Sequence, residues 1–359
     1  MKATKALAIM TLAAMLCAGS AFAGAAQQGK SPLSPSTAPC PVYSPKVEQQ
    51  IDKAYQLIGD DLPADLVSSL FIIPRMAGLC APARVPQYKM DRSLYGPARA
   101  FDQLSYIGNG FVGVWVLETS GGIILFDTMN SGDEARDVIE PRLRKLGLEP
   151  KNIRYIIITH GHGDHAGGAK YFQDHYGSVV LIGRADEALV RAPHAAGLPG
   201  YPPLVAPARL QPIDDGMVLK LGDTAVALYV TPGHTPGSIA AVFPVTDKGQ
   251  PHEVALFGGY GLPTHLDMKN GQPGLLAFED SVRRFRDIGE AAGVDSAIST
   301  HPIFEGTLEN IKLISRGEPA KSPWIMGRGN WVRYMDAMLE VSKTVETMER
   351  EHPVVWPKK

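Results

Sequence analysis

Apolar residues recur along this chain in two rhythms, and the changes between them predict its elements. Val47, Ile51, Tyr55 and Ile58 fall at helical spacing, and a second apolar run from Leu66 to Ile73 ends at Pro74. Together they predict a helical extension packed on the main fold. Short continuous runs follow, Phe111 to Leu117 and Ile123 to Phe126, flanking Gly121-Gly122 as strands flank a hairpin-like turn. A helix is expected from Asp133 to Leu146, closing at Gly147, then a strand from Ile153 to Ile158, a helix from Ala166 to His175 and a strand from Val179 to Ile182. The Gly- and Pro-rich segment 197–203 marks a candidate boundary between two similar halves.

The second half repeats the texture. Strands are expected at Ala225 to Val230, Ile239 to Phe243, Val254 to Phe257 and Ser296 to Ser299, with a helix striped by Phe278, Val282, Phe285 and Ile288 before the last. Beyond Pro319 and Pro323, the positions Trp331, Met335, Met338, Val345 and Met348 form another helical stripe. It reads as a docking or dimer-forming face or, preferably, as ordinary core filling, a use to which Met is well suited. This order of elements suits a layered α/β fold.

Composition adds a core and an address. The 359 residues, 45% of them hydrophobic, allow a sizeable core. Lys2 and Lys5, an apolar stretch from Ala6 to Leu16 and Ala21-Phe22-Ala23 before Gly24 match a secretory signal with an A-x-A cleavage site. The stretch is short for a membrane span, and Leu16 before Cys17 disfavours a lipoprotein anchor. A periplasmic or secreted protein without a membrane anchor is therefore expected. Residues 24–45 hold Gly29, Ser31, Pro32, Pro35, Pro39, Pro41 and Pro45, a composition that argues for a flexible start. After cleavage two cysteines remain, Cys40 and Cys80, and an oxidising compartment favours a bridge between them over two unpaired buried thiols. Loss of Lys2 and Lys5 takes the net charge from −2 to −4, so nothing suggests a nucleic-acid or polybasic membrane surface. The oligomeric state is left open.

The chemistry lies after the strand Ile153 to Ile158. Thr159-His160-Gly161-His162-Gly163-Asp164-His165 packs three imidazoles and a carboxylate into six residues, with glycines that free the backbone to turn several side chains inward. Imidazole and carboxylate suit zinc. Burying the same groups without a metal would leave several of them in need of partners.

This run resembles the His-x-His-x-Asp-His signature of the metallo-β-lactamase superfamily. Thr231-Pro232-Gly233-His234-Thr235-Pro236-Gly237-Ser238 is similar to the second ligand motif and Ser299-Thr300-His301-Pro302 to the last. Ile123 to Thr128 resembles the early strand whose terminal Asp127 braces the metal loop. The resemblance implies an αβ/βα four-layer sandwich with N-terminal and C-terminal helical extensions. On that basis the chain divides into a signal peptide (1–23), a flexible segment and helical extension (24–97), a metallo-β-lactamase domain (98–315) and a C-terminal helical extension (316–359). It also implies two Zn²⁺ per chain, one on His160, His162 and His234 and the other on Asp164, His165 and His301, as in the subclass B3 enzymes.

Where other members carry a bridging Asp or a Cys, Leu256 to Gly261 places Tyr260. That departure weakens readings akin to glyoxalases and persulfide dioxygenases, and it also differs from subclass B3, where a Ser usually stands. The activity implied is an exported dinuclear zinc hydrolase that opens a cyclic amide, foremost a β-lactam, with a zinc-bound hydroxide as nucleophile. Asp164 would orient the nucleophile, and Tyr260 would either donate a hydrogen bond to the substrate or only fill space. The net positive charge of such a site favours an anionic small molecule. Hydrolysis of a lactone or ester is the alternative, and an iron oxidoreductase or a non-catalytic zinc-binding protein are further ones.

The export reading makes a prediction of its own. The mature chain starts at Gly24 and carries no free thiol after periplasmic expression. Intact mass and thiol titration check this, and a retained leader or two free thiols would contradict it.

Overall fold

The computed structural model describes residues 40–76, 79–87, 89, 91–192, 203–317 and 319–353. The signal, most of the flexible start and all but Pro203 of the segment 197–203 lie outside the described residues. Within them the chain forms twelve strands. A seven-stranded sheet takes β1 (Leu94–Phe101), β2 (Leu104–Asn109), β3 (Gly113–Thr119), β4 (Gly122–Phe126), β5 (Ile153–Ile158), β6 (Val179–Gly183) and β7 (Gln211–Ile213) in sequence order. The pairings are antiparallel up to β4 and parallel from β4 to β7. A five-stranded sheet has the order β12-β11-β10-β9-β8, from β8 (Val218–Leu221), β9 (Thr224–Val230), β10 (Ile239–Asp247), β11 (Gln250–Phe257) and β12 (Ser296–Ile298).

Alternation within these strands builds the layers, because successive side chains point to opposite faces. In β5, Ile157 faces the second sheet, while Ile156 and Ile158 face outward. In β10, Ala241, Phe243 and Val245 face the first sheet, while Ala240 and Val242 face the other way. Phe126 and Phe243 stack across the gap with centroids 5.2 Å apart. Both faces of each central strand are apolar because both are covered, which explains the continuous hydrophobic runs in the sequence.

Helices supply the outer layers. One set holds α1 (Pro45–Ile58), α2 (Leu66–Leu70) and α3 (Ile72–Met76). Next come α4 (Gly132–Glu134), a π-helical turn (Ala135–Ile139), α5 (Glu140–Lys145), α6 (Gly163–Ala166), α7 (Ala169–Tyr176) and α8 (Glu187–Arg191). The last are α9 (Leu275–Ala292), α10 (Thr307–Ser315) and α11 (Arg328–Glu351). Ile139, Leu143 and Phe172 cover the outer face of the seven-stranded sheet. Val47, Ile51, Phe278, Val282, Phe285, Met335 and Met338 cover that of the five-stranded sheet. The result is the expected four-layer α/β sandwich with helical extensions.

Four local readings change. The apolar run at 66–73 forms two helices, and the second continues through Pro74 to Met76 because a proline in a first turn forfeits no ladder bond. The helix at 133–146 widens to a π turn just ahead of Pro141, which cannot donate into the ladder. The helix placed at 166–175 begins at Ala169, and Asp164 and His165 sit on a separate helical turn. The Met stripe of α11 is fully buried within its own chain, so the docking or dimer-forming reading gives way to core filling. Cys40 and Cys80 are joined by a disulfide, with Cα atoms 5.5 Å apart. Among the described residues no helix is long and apolar enough to cross a membrane.

Gly289, inside α9, shows packing overriding propensity. Ala is about 1 kcal/mol better than Gly in a helix, but a β-carbon there would lie 2.4 Å from Trp331 Nε1. Overpacking costs about 1–3 kcal/mol, so Gly289→Ala is expected to destabilise the protein in urea unfolding, and a gain in stability would show that Trp331 shifts freely.

Candidate metal centre

The site lies where strands end. Asp127 follows β4, His160 and His162 follow β5, His234 follows β9 and His301 follows β12. The structure brings His160, His162 and His234 together with Asp164, His165 and His301. Ligand atoms of His160, His162 and His234 lie within 4.8 Å of one another, as do those of His160, Asp164 and His165. Asp164 Oδ2 is 3.6 Å from His165 Nε2 and 3.7 Å from His301 Nε2. Ligands about 2.0–2.1 Å from a tetrahedral zinc are about 3.4 Å apart, so this spacing fits an ion.

Hydrogen bonds at the far side of the rings make a stronger test. His234 Nδ1 donates to the Gly261 carbonyl at 2.9 Å, and His301 Nδ1 donates to the Phe111 carbonyl at 2.6 Å. His165 Nδ1 donates to Asp127 Oδ2 at 2.5 Å. These acceptors carry no proton, so each neutral ring keeps a bare Nε2. Yet His234 Nε2 lies 3.0 Å from His162 Nδ1, and His165 Nε2 lies 3.1 Å from His301 Nε2. His160 Nε2 is buried and meets no hydrogen-bonding group among the described residues.

The bare Nε2 atoms of His165 and His301 need a cation between them, either a proton or a metal, whereas His162 Nδ1–H can donate to His234 Nε2. At the three-histidine position a proton is disfavoured, because burial pushes His160 and His234 well below the usual imidazole value and lowers His162 as well. Burial also takes His301 down to about 4. His165 goes the other way: burial lowers it, but the carboxylates of Asp164 and Asp127 outweigh burial and raise it.

Asp127 holds this arrangement from behind. Its Oδ1 accepts from Thr159 N and its Oδ2 from Thr159 Oγ1, both at 2.7 Å, beside the bond from His165. The residue pays for that with a left-handed backbone, φ 64°, which Asp tolerates better than most side chains. Gly167 and Gly168 let this turn approach α6, since a β-carbon at Gly167 would lie 2.0 Å from the Asn130 carbonyl carbon.

Tyr260 is not where the substrate-donor reading requires it. Its hydroxyl accepts from Tyr334 Oη at 2.8 Å, its ring stacks on Phe304 at 4.4 Å, and it is 3% exposed. The phenol therefore belongs to the core beneath α11, while the next residue, Gly261, supplies the carbonyl that orients His234. That is a correction, and its cause is the apolar layer formed by Phe257, Phe304 and α11, which draws the ring inward.

One residue of the site escaped the sequence reading. Asp186, at the end of a 3₁₀ turn after β6, is fully buried, and its carboxylate accepts hydrogen bonds from Gly161 N, Thr235 Oγ1 and Gly237 N. Nothing in Arg184-Ala185-Asp186 sets it apart from a surface acid.

A four-layer sandwich that gathers His160, His162, Asp164, His165, His234 and His301 beyond its strand ends is similar to the arrangement of the metallo-β-lactamase fold. Residues 107–247 match the Metallo-beta-lactamase superfamily. A subclass B3 metallo-β-lactamase, BJP-1 of Bradyrhizobium japonicum, superposes with a TM-score of 0.59 at 26% identity, covering 73% of this chain and 98% of that one. The B3 enzyme MEM-A1 from a soil metagenome library shares the fold, with a TM-score of 0.60 at 23% identity over 72% and 99% of the two chains.

Among curated relatives, the hydroxyacylglutathione hydrolase GloC of Haemophilus influenzae is 29% identical over 41% of this chain and 67% of its own length. That of Synechococcus sp. is 33% identical over 50% and 61%. The match to a Vibrio cholerae hydroxyacylglutathione hydrolase spans 34% of that relative.

Tyr260→Phe tests the corrected placement. Metal content and turnover are expected to stay near wild type while stability falls by about 0.5–1.5 kcal/mol, the worth of one hydrogen bond. A hundredfold loss of turnover at unchanged metal content would restore the donor role.

Proposed function

We propose that this protein is an exported dinuclear zinc hydrolase that opens the amide of a β-lactam. The observation that carries the reading is the way ring nitrogens and one carboxylate oxygen face one another in two groups, with no side chain of Gly258-Gly259-Tyr260-Gly261 between them. His160, His162 and His234 would hold one zinc, and Asp164, His165 and His301 the other. Bound zinc supplies a Lewis acid and ionises water near neutral pH.

The protein's own groups do the rest. Asp127, the Gly261 carbonyl and the Phe111 carbonyl hold the rings in one tautomer. Asp164, 8% exposed, has a second carboxylate oxygen that can accept a hydrogen bond from the attacking water and later carry the proton toward the leaving nitrogen. Two divalent ions against one ligating carboxylate leave the centre positive, which suits a substrate with its own carboxylate. The disulfide supports export.

A second reading is hydrolysis of a thioester, lactone or ester at the same centre, favoured by the identity with hydroxyacylglutathione hydrolases. Tyr260, in the place of the bridging Asp, weakens the glyoxalase-like form of this reading and equally departs from the Ser usual in subclass B3.

The test uses purified mature protein loaded with zinc and offered a chromogenic cephalosporin, a thioester of glutathione, lactones and aryl esters. Cephalosporin turnover that is lost on chelation and restored by zinc is expected, whereas turnover of the thioester alone would replace the first reading with the second. His234→Ala and His301→Ala should each lower bound zinc from two per chain toward one. A variant that keeps two tightly bound ions would remove that residue from the ligand set.

A further inference from the structure

The three-histidine position draws its ligands from two separate loops, one after β5 and one after β9. Something must fix the distance between those loops, since His162 and His234 face each other at 3.0 Å across them. Asp186 belongs to neither loop and touches both. Its Oδ2 accepts from Gly161 N at 2.8 Å, between His160 and His162, and from Thr235 Oγ1 at 2.6 Å, directly after His234. Its Oδ1 accepts from Gly237 N at 2.7 Å.

Two glycines make room for it. A β-carbon at Gly237 would lie 2.6 Å from Asp186 N and 2.8 Å from its Cγ, and one at Gly161 would lie 3.2 Å from its Cβ. Thr235 is tied in turn to Ser238 through their hydroxyls at 2.8 Å. The carboxylate is 0% exposed, and among the described residues no Lys or Arg pairs with it. A buried charge supported only by neutral donors is costly unless positive charge lies close by.

We propose that Asp186 is a positioning residue for the ion at His160, His162 and His234, clamping the two ligand loops to each other and setting a negative charge behind the site. This rests on the reading that those three histidines hold a metal. It makes Asp186 the counterpart of Asp127, which stands behind the other position.

The test compares wild type with Asp186→Ala, Asp186→Asn, Thr235→Val and Thr235→Ser. Zinc affinity is measured by competition with a chromophoric chelator, cobalt absorption spectra are recorded, and the thermal stability of the metal-free forms is followed. Asp186→Ala is expected to weaken zinc at one of two sites by about 10–100-fold, the usual effect of removing a partner that orients metal ligands. The other site is retained, and the cobalt spectrum changes. Asp186→Asn, which turns one acceptor into a donor facing N–H groups, follows it.

Should both Asp186 variants fail to fold, Thr235 carries the test, with loss of affinity in Thr235→Val and recovery in Thr235→Ser. Variants that bind two zincs within twofold of wild type, even if less stable without metal, would overturn the clamp and leave the ligand assignment standing. A wild-type protein whose zinc uptake is unchanged by His234→Ala would overturn both.

Discussion

Bare ring nitrogens are held facing one another in the interior of this protein, and much of its architecture serves to keep them there. A neutral imidazole can satisfy one nitrogen with a carbonyl or carboxylate, but the other then points its lone pair forward. Three rings here are fixed in that way by Gly261, Phe111 and Asp127, each from a different segment of the chain. Relaxed apart, the rings could find water. Held together, they form a place that a cation would stabilise, and the apolar layers on either side keep them there.

The sandwich is suited to that task because the strands converge while their side chains are occupied elsewhere. β4, β5, β6, β12 and the last half of β11 bury both faces where they approach the site, so polar groups gather in the turns beyond the strand ends. There the turns lie close enough to share hydrogen bonds, as when Ile239 N donates to the Thr159 carbonyl at 2.7 Å. Rigidity in the sheets thus becomes precision at the ligand atoms. A site on strand ends is held more closely than one on mobile loops.

The sequence was most legible where chemistry and local pattern coincide. The run from His160 to His165 concentrates its candidate ligands within a few residues, and the apolar runs gave β4, β5 and β9 to within a residue at either end. Less legible were contacts between distant segments. Asp186 reaches Gly161 across 25 positions and Gly237 across 51, and Tyr334 reaches Tyr260 across 74. No local spacing records such pairs. The two roles left open for Tyr260 have the same origin: its alignment with a ligand position was visible, but the aromatic layer that turns it inward is assembled from Phe304 and α11.

That last helix has a consequence for how the molecule is made. The layer over the five-stranded sheet is built from α1 at one end of the described chain and α11 at the other, and Ser44 N donates to Glu351 across 307 positions. During synthesis, the first helix is complete long before its partner exists. Its apolar stripe of Val47, Ile51, Ala54 and Ile58 must wait uncovered, exposed to off-pathway association, until nearly the whole chain has been delivered. In a protein built this way the outer layer over the five-stranded sheet closes only once α11 has been delivered.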